Sequence, residues 1–434
     1  MNFAEAEKYL LSLGAEISAM KLGLENVTEL LREIGSPQKK FLKIQVAGTN
    51  GKGSTCAFLE SICLEAGIKT GLNTSPHLVS ITERVRINGK EISKEDFAEY
   101  ATAIRAASEK LLKNGRLKAM PTFFEQVTAI ALQSFADANV EVAILETGLG
   151  GRLDAVTAAK AEILVFTPIH LDHQDILGDR IEKIAEEKAA IIRPGTYVIS
   201  SAQPTEAMSV ILNRVAEFKV PARFTTEVET EISDGKLFFR TTKGEYQNVE
   251  LGLLGRHQIE NALTALLAAE ELQKYKPISA EDIISGLRKA KHEGRLEFKG
   301  QFLFDGAHNE SGAKALRDFL DEFVNQPITM IFATMKDKNL EKIAEYLFPK
   351  ADLLVLTEVN KHASISKKRS MPAEKIANVA SRFLPSDRII VTQSVNEALE
   401  KTIQITPRES VILVTGSLYL IGEVKSCLCH TSSS

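Results

Sequence analysis

Val46-Ala47-Gly48-Thr49-Asn50-Gly51-Lys52-Gly53-Ser54-Thr55 is the stretch on which the fold turns. An apolar run, Phe41 to Ala47, leads into it, and a segment with helical period, Cys56 to Ala66, leads out. That order is strand, phosphate loop, helix. The glycines let several N–H groups converge on one point, and the following helix aims the positive end of its dipole there, so an anion is expected. Lys52 adds a charge for β- and γ-phosphates, and Ser54 or Thr55 offers a hydroxyl to a magnesium ion bound to them.

The spacing departs from the usual G-x-x-x-x-G-K-[ST]: the first glycine lies closer to the second, and Gly53 separates the lysine from the hydroxyl. A glycine-rich turn with an exposed lysine is the plainer alternative. The joint presence of strand, glycines, lysine and hydroxyl favours nucleotide binding.

A chain of 434 residues exceeds what one hydrophobic core supports, so two domains are expected. With 44% hydrophobic and 25% charged residues the composition is that of a folded globular protein. A net charge of −4 gives no general electrostatic case for nucleic acid or an anionic membrane as partner. The acidic start, Met1 to Glu7, and the lack of a long apolar run point to a cytoplasmic protein. Cys56 and Cys63 have a packing spacing, and Cys427, Cys429 and His430 fall in a tail expected to fray.

Residues 3–13 and 25–34 have helical period, and Lys69 to His77 is a short strand-like piece broken by Pro76, which holds Ser75 in a loop. Thr82 to Gly89 alternates and ends on a hairpin signal, Asn88-Gly89. A long helix from about Ser93 to Leu112 follows. Thr122 and Glu125 have the spacing of a capping box, which by itself accounts for both; Phe123 and Phe124 read as core.

Val140 to Leu145 suits a central parallel strand and ends on Glu146, at the strand end where ligands of open α/β sheets gather. A carboxylate there can hold magnesium. Ile163 to Thr167 is another buried strand, followed by His170-Leu171-Asp172-His173-Gln174-Asp175, whose imidazoles could ligate a divalent ion. The helix at about 181–192 carries Lys188 beside Glu186 and Glu187, where a solvated ion pair is the plain expectation. From 197 to 256 the signals are mostly β, over Tyr197–Ser200, Val228–Ile232, Lys236–Thr242 and Val249–Leu254, and two helices follow.

Five β runs then alternate with helical segments: Gln301–Asp305, Ile328–Thr334, Leu353–Thr357, Arg388–Thr392 and Val411–Thr415. The expected fold is α/β. A mostly parallel, phosphate-loop sheet with a β-rich edge occupies 1–296, and a smaller Rossmann-like, doubly wound domain occupies 297–434. Lys361 to Arg369 reads as an exposed basic loop.

Thr49 to Ser54, Thr74-Ser75-Pro76-His77-Leu78, Glu146 to Asp154, His170 to His173, Asp305-Gly306-Ala307-His308-Asn309 and Gly416-Ser417-Leu418-Tyr419 together resemble, in this order, the blocks of the folylpolyglutamate synthases and bifunctional dihydrofolate synthases of the Mur ligase superfamily. That family shares the short loop spacing. The resemblance implies an ATP-dependent ligase that passes the γ-phosphoryl group to a carboxylate of dihydropteroate or a reduced folate and lets the amine of L-glutamate attack the acyl phosphate.

By position in those motifs, Asn50, Gly51, Lys52, Gly53, Ser54, Asn261, Arg295 and Asp305 would contact ATP. Ser75 and Glu146 would hold one magnesium ion, and His173 with a carbamylated Lys188 a second, with Lys52, His173 and Lys188 serving catalysis. Thr122, Phe123, Phe124 and Glu125, with Leu153, Asp154 and Ala155, match pterin-binding segments; Phe123 stands where a tyrosine is common. His308 and Ser417 match the glutamate side, and Arg86 could reach the substrate's acidic tail or be a solvated strand residue. A monomer acting on small molecules is implied. Two other readings compete: a cell-wall amino-acid ligase, disfavoured by only about 40 residues before the first strand, and a nucleotide switch without ligase chemistry.

Overall fold

The computed structural model describes residues 1–14, 23–359 and 369–431, so the basic loop expected at 361–369 lies almost wholly outside the described residues. The chain divides into two compact units. One comprises Met1–Leu171, Leu177–Gly252 and Gln258–Lys291; the other comprises Asp172–Ile176, Leu253–His257 and His292–Ser434.

The first unit is built on an eight-stranded sheet of β1 (Leu42–Ala47), β2 (Thr70–Asn73), β3 (Val85–Ile87), β4 (Lys90–Glu91), β5 (Val142–Glu146), β6 (Ile163–Phe166), β7 (Tyr197–Ser200) and β8 (Ala222–Phe224). Their order is β4-β3-β2-β5-β1-β6-β7-β8, with only β3 and β4 antiparallel to their neighbours. From β1 the chain crosses to β2 on one side, and from β5 it crosses to β6 on the other. The carboxyl end of β1 is therefore the topological switch point where open α/β sheets bind ligands. β1 and β5 are buried along almost their whole length, as central parallel strands require.

Helices Phe3–Ser12, Glu25–Glu33, Lys94–Lys113 and Phe123–Asp137 pack their apolar stripes into one core on this sheet. Helices Ile181–Ala189 and Thr205–Phe218 close another. The helix after the phosphate loop spans Lys52–Glu65, four residues earlier than its apolar period indicates, because the polar loop residues supply its first turn. Gly286 lets the Ala280–Lys289 helix lie directly on it: a Cβ there would stand 2.4 Å from the Ile62 Cα.

Between 197 and 256, β7 and β8 finish the main sheet, while β9 (Glu229–Ser233), β10 (Lys236–Arg240) and β11 (Glu245–Val249) form a separate antiparallel sheet. The Val249–Leu254 strand expected from sequence is displaced: the strand is the polar Glu245–Val249, held by register with β10, and the apolar residues after it take no regular structure. The 14-residue helix Thr205–Phe218 was not anticipated, although Ala207 and Ile211 carry its buried stripe.

The second unit has a six-stranded sheet of β12 (Glu297–Lys299), β13 (Phe302–Asp305), β14 (Ile328–Phe332), β15 (Leu353–Leu356), β16 (Ile389–Val391) and β17 (Val411–Thr415). Its order is β12-β13-β17-β14-β15-β16, all parallel except the short edge strand β12. The doubly wound pattern is the expected one, with β12 added. The tail expected to fray is helical from Leu418 to Thr431, and Val424 and Lys425 within it are buried. Among the described residues no helix is long and apolar enough to cross a membrane.

Candidate active site

In the first unit the phosphate loop hangs between two strand ends. The Thr49 and Asn50 N–H groups donate to the Pro168 carbonyl at 3.0 and 3.2 Å, fastening the loop to the end of β6. Gly48, at φ +147°, has no room for a side chain: a Cβ would collide with the Thr167 hydroxyl and backbone. Gly51, at φ +86°, precedes the helix, and Gly53 and Ser54 lie in the helix's first turn. Lys52 curls over the loop, its Nζ 3.1 Å from the Thr49 carbonyl and 3.3 Å from that of Gly48.

Asn261 packs its amide against the Gly51 Cα and donates to Gln258 at 2.8 Å; Gln258 donates to the Ser54 hydroxyl at 3.3 Å. Gln258 was not singled out from sequence, although it lies one helical turn before Asn261. The three residues tie the His257–Leu272 helix to the loop.

Val46 and Glu146 are partners in the β1–β5 register, so the loop and this carboxylate emerge side by side. Glu146 is buried, and its Oε2 accepts the Ser75 N–H at 3.0 Å. Lys188 is not a solvated partner of the acids around it. It is 4% exposed and donates to the Gly48 carbonyl at 2.7 Å, while Glu187 pairs with Arg152 at 2.9 Å. Gly151 allows this by lying on the backbone of Glu187 and Lys188, where a Cβ would come within 2.7 Å of a carbonyl oxygen. Lys52, Lys188, Glu146 and Ser75 thus converge on the loop.

Thr122 and Glu125 form the expected capping box, and burial raises the pKa of the Glu125 carboxyl. Phe123 and Phe124 are both core residues; the Arg84 guanidinium lies 5.0 Å over the Phe123 ring, and the Phe124 ring lies against Gly148. Asp154 accepts the Gly148 and Leu149 N–H groups at 2.9 Å each and caps the short Ala155–Ala159 helix; Leu153 is half-buried. These residues shape the loop beyond Glu146. Arg86 is held 3.0 Å from the buried Glu60 and also donates to the Gly89 carbonyl.

The second unit gathers a different set. Asp305 and Thr415 are register partners in β13 and β17, so His308 and Ser417 follow the carboxyl ends of neighbouring parallel strands. The Asp305 carboxyl accepts the Leu296 and Ala307 N–H groups at 3.0 Å each, and burial raises its pKa against the opposing charges of Arg295 and His257. Ser417 accepts the Tyr419 N–H at 3.2 Å.

His308 has its Nδ1 2.8 Å from the Gly306 carbonyl and its Nε2 3.5 Å from Asp172. Asp172 also receives Lys338 at 2.5 Å and the Asn309 amide at 3.2 Å. Burial alone would raise the Asp172 carboxyl, but His308, Lys338 and His173 hold it well below the usual carboxylate range. His173, at φ +51°, stands 4.0 Å from Asp337; burial lowers its pKa to about 4, which keeps the imidazole in the neutral form that ligates metals. Asp337 and Lys338 went unnoticed in the sequence, though they follow β14 as a strand-end acid and base.

The four residues assigned to magnesium therefore do not all share a unit: Ser75, Glu146 and Lys188 belong to the first and His173 to the second. Among the described residues no three His, Cys, Asp or Glu side chains gather as a metal cage. That fits magnesium, which takes one or two protein oxygens and fills its shell with phosphate and water. The Ser75 hydroxyl and Glu146 carboxylate are donors of the required hard type.

A strand–glycine loop–helix at a switch point, with a lysine over the loop and a buried carboxylate on the next strand, defines a phosphate-loop nucleotide-binding protein. Residues 46–269 match the Mur ligase middle domain, and residues 289–427 match the dihydrofolate synthetase C-terminal domain. A dihydrofolate synthase/folylpolyglutamate synthase of Bacillus subtilis is 34% identical over 94% of this chain and 95% of its own. Among solved structures, Escherichia coli FolC in complex with DHPP and ADP superposes with a TM-score of 0.87 at 30% identity, covering 100% of this chain and 99% of that one. A bifunctional folylpolyglutamate synthase/dihydrofolate synthase with Mn, AMPPNP and L-glutamate bound gives 0.85 at 28%, covering 99% and 98%. The chain belongs to the folylpolyglutamate synthase/dihydrofolate synthase family of the Mur ligases.

Proposed function

We propose that this chain is an ATP-dependent ligase that adds L-glutamate to folates, and that it also makes dihydrofolate by adding glutamate to dihydropteroate. The observation that carries the reading is the β1–β5 register, which sets the buried Glu146 beside the phosphate loop, in a chain whose relatives are folate ligases.

The N–H groups of Asn50 to Ser54, with Lys52, hold the β- and γ-phosphates, and Asn261, Arg295 and Asp305 contact the nucleotide. Ser75 and Glu146 hold one magnesium ion, and His173 with Lys188 a second; bound magnesium neutralises charge on the phosphates. Residues Thr122 to Glu125 and Leu153 to Ala155 shape the pterin side, and His308 and Ser417 receive glutamate. A carboxylate oxygen of the acceptor attacks the γ-phosphorus and ADP leaves. The glutamate amine then attacks the acyl carbon, loses a proton, and phosphate departs. Activation is needed because an oxide leaves a carboxylate poorly whereas phosphate leaves readily.

Lys188 acts as a carbamate. Its uncharged amine adds to the carbon of carbon dioxide and releases a proton, turning a cationic arm into an anionic oxygen donor, which magnesium prefers. Its burial against the phosphate loop, away from the acids on its own helix, supports a role at that loop. The enzyme works as a monomer in the cytoplasm.

ADP release is the test, measured against dihydropteroate, reduced folate monoglutamate and a uridine-linked peptide, each with and without glutamate. Glutamate-dependent ADP with both pterin acceptors is expected. Release with the uridine-linked peptide alone would refute the folate reading, and release with only one pterin acceptor would refute the dual activity.

A further inference from the structure

Arg295 sits in a turn that does not hold itself. It is flanked by two left-handed residues, Gly294 at φ +69° and Leu296 at φ +46°, and leucine adopts that region reluctantly. Three backbone contacts brace the turn: Leu296 N–H to Asp305, Gly294 N–H to Glu297 Oε2 at 2.7 Å, and Gly306 N–H to the Gly294 carbonyl at 2.9 Å. The Arg295 guanidinium lies against Gly306, where a Cβ would be 2.9 Å from Nη1.

The remaining brace is a charge. Lys425, on the Leu418–Thr431 helix, is 9% exposed and reaches Glu293 at 2.5 Å and Glu297 at 2.6 and 2.9 Å, with its ammonium 5.5 Å over the Phe304 ring. Leu418, two helical turns earlier on the same face, packs on Gly306. One helix face therefore supports both sides of the Arg295 turn. Glu293 is largely exposed and its pair with Lys425 is weak, whereas the Glu297 pair is sheltered and charge-assisted.

We propose that Lys425 is a positioning residue for nucleotide binding: by gripping Glu293 and Glu297 it holds the turn that presents Arg295. This rests on the reading of Arg295 as an ATP contact.

Lys425→Met keeps the apolar stem and removes the charge. The KM for ATP is expected to rise roughly tenfold, as for loss of a charged contact, while kcat and the KM for glutamate move less than about threefold. Lys425→Arg should restore most of the ATP affinity. In an Arg295→Ala background, Lys425→Met should add nothing further to KM for ATP, because it acts through that guanidinium. Glu297→Gln gives a milder version of the same split should Lys425→Met fold poorly. If Arg295→Ala weakens ATP binding while Lys425→Met and Glu297→Gln leave it unchanged, or if Lys425→Met adds fully to Arg295→Ala, the positioning role is wrong. An unchanged KM for ATP in Arg295→Ala would overturn the underlying reading as well.

Discussion

Replacing Lys188 by alanine separates a structural lysine from a catalytic one, and the structure sets the scale of each. The mutation removes three buried methylene groups, at about 0.8 kcal/mol each, and a hydrogen bond to Gly48 worth about 1 kcal/mol. The Gly48 carbonyl keeps Lys52 as a donor, so it is not orphaned. A folding cost of about 2–4 kcal/mol results, which a protein of ordinary stability survives. The catalytic cost is separate. Losing a preorganised oxygen donor that would hold the magnesium neutralising the transferring phosphoryl group is worth about 3–4 kcal/mol, or roughly 10²–10³ in kcat. The assay is glutamate-dependent ADP release, paired with calorimetric titration of a non-hydrolysable ATP analogue. Severe loss of turnover is expected with nucleotide affinity within about threefold of wild type, since Lys52 and the loop are intact. Acetate should rescue part of the rate by supplying the missing carboxylate. A near-normal rate in the mutant would remove Lys188 from the mechanism. Failure of carbon-13 bicarbonate to give a carbamate signal in the active wild type would remove the modification alone.

Two further outcomes concern ionisable groups elsewhere. Glu270 is fully buried and bonded to Arg223 at 2.5 Å, the Thr241 hydroxyl at 2.6 Å and the Tyr246 hydroxyl at 2.8 Å; Glu270→Ala leaves a buried guanidinium unpaired and should cost about 3–5 kcal/mol, read from the urea midpoint. Lost hydration of the His257 ring, with the Arg295 charge nearby, depresses its pKa below 6.5 although the residue keeps an exposed edge, so the unfolded chain binds a proton there more readily than the folded chain. Its contribution is therefore intact above that value and is lost as the pH falls below it. His257→Gln should make the decline in urea midpoint between about pH 7 and 5.5 shallower than in wild type, and an unchanged or steeper decline would refute the assignment.

The fold was legible where apolar runs are nearly continuous. Phe41 to Ala47, Val140 to Leu145 and Val411 to Thr415 read as buried parallel strands, and they are β1, β5 and β17. It was illegible where pairing overrides composition. Glu245 to Val249 is polar and becomes a strand because β10 offers it a partner, while the more apolar residues after it take no regular structure. β12 has one apolar residue, Phe298, between Glu297 and Lys299, too short a pattern to register as a strand.

Within the site, motif residues were visible but their directions were not. Lys188 follows two glutamates on an amphipathic helix, and spacing alone pairs it with them; its burial depends on Gly151, 37 positions earlier, fitting against its backbone. The same limit governs His170 to His173. Two histidines with an aspartate between them suggest one ligand set, yet His170 is bound to Thr49 through backbone and hydroxyl, while Asp172 is taken by Lys338, Asn309 and His308. Lys338 lies 166 positions downstream, so nothing local could announce it. An acid so heavily supplied with donors serves as an anchor: Asp172, gripped by Lys338, Asn309 and His308, fixes where the neighbouring His173 stands.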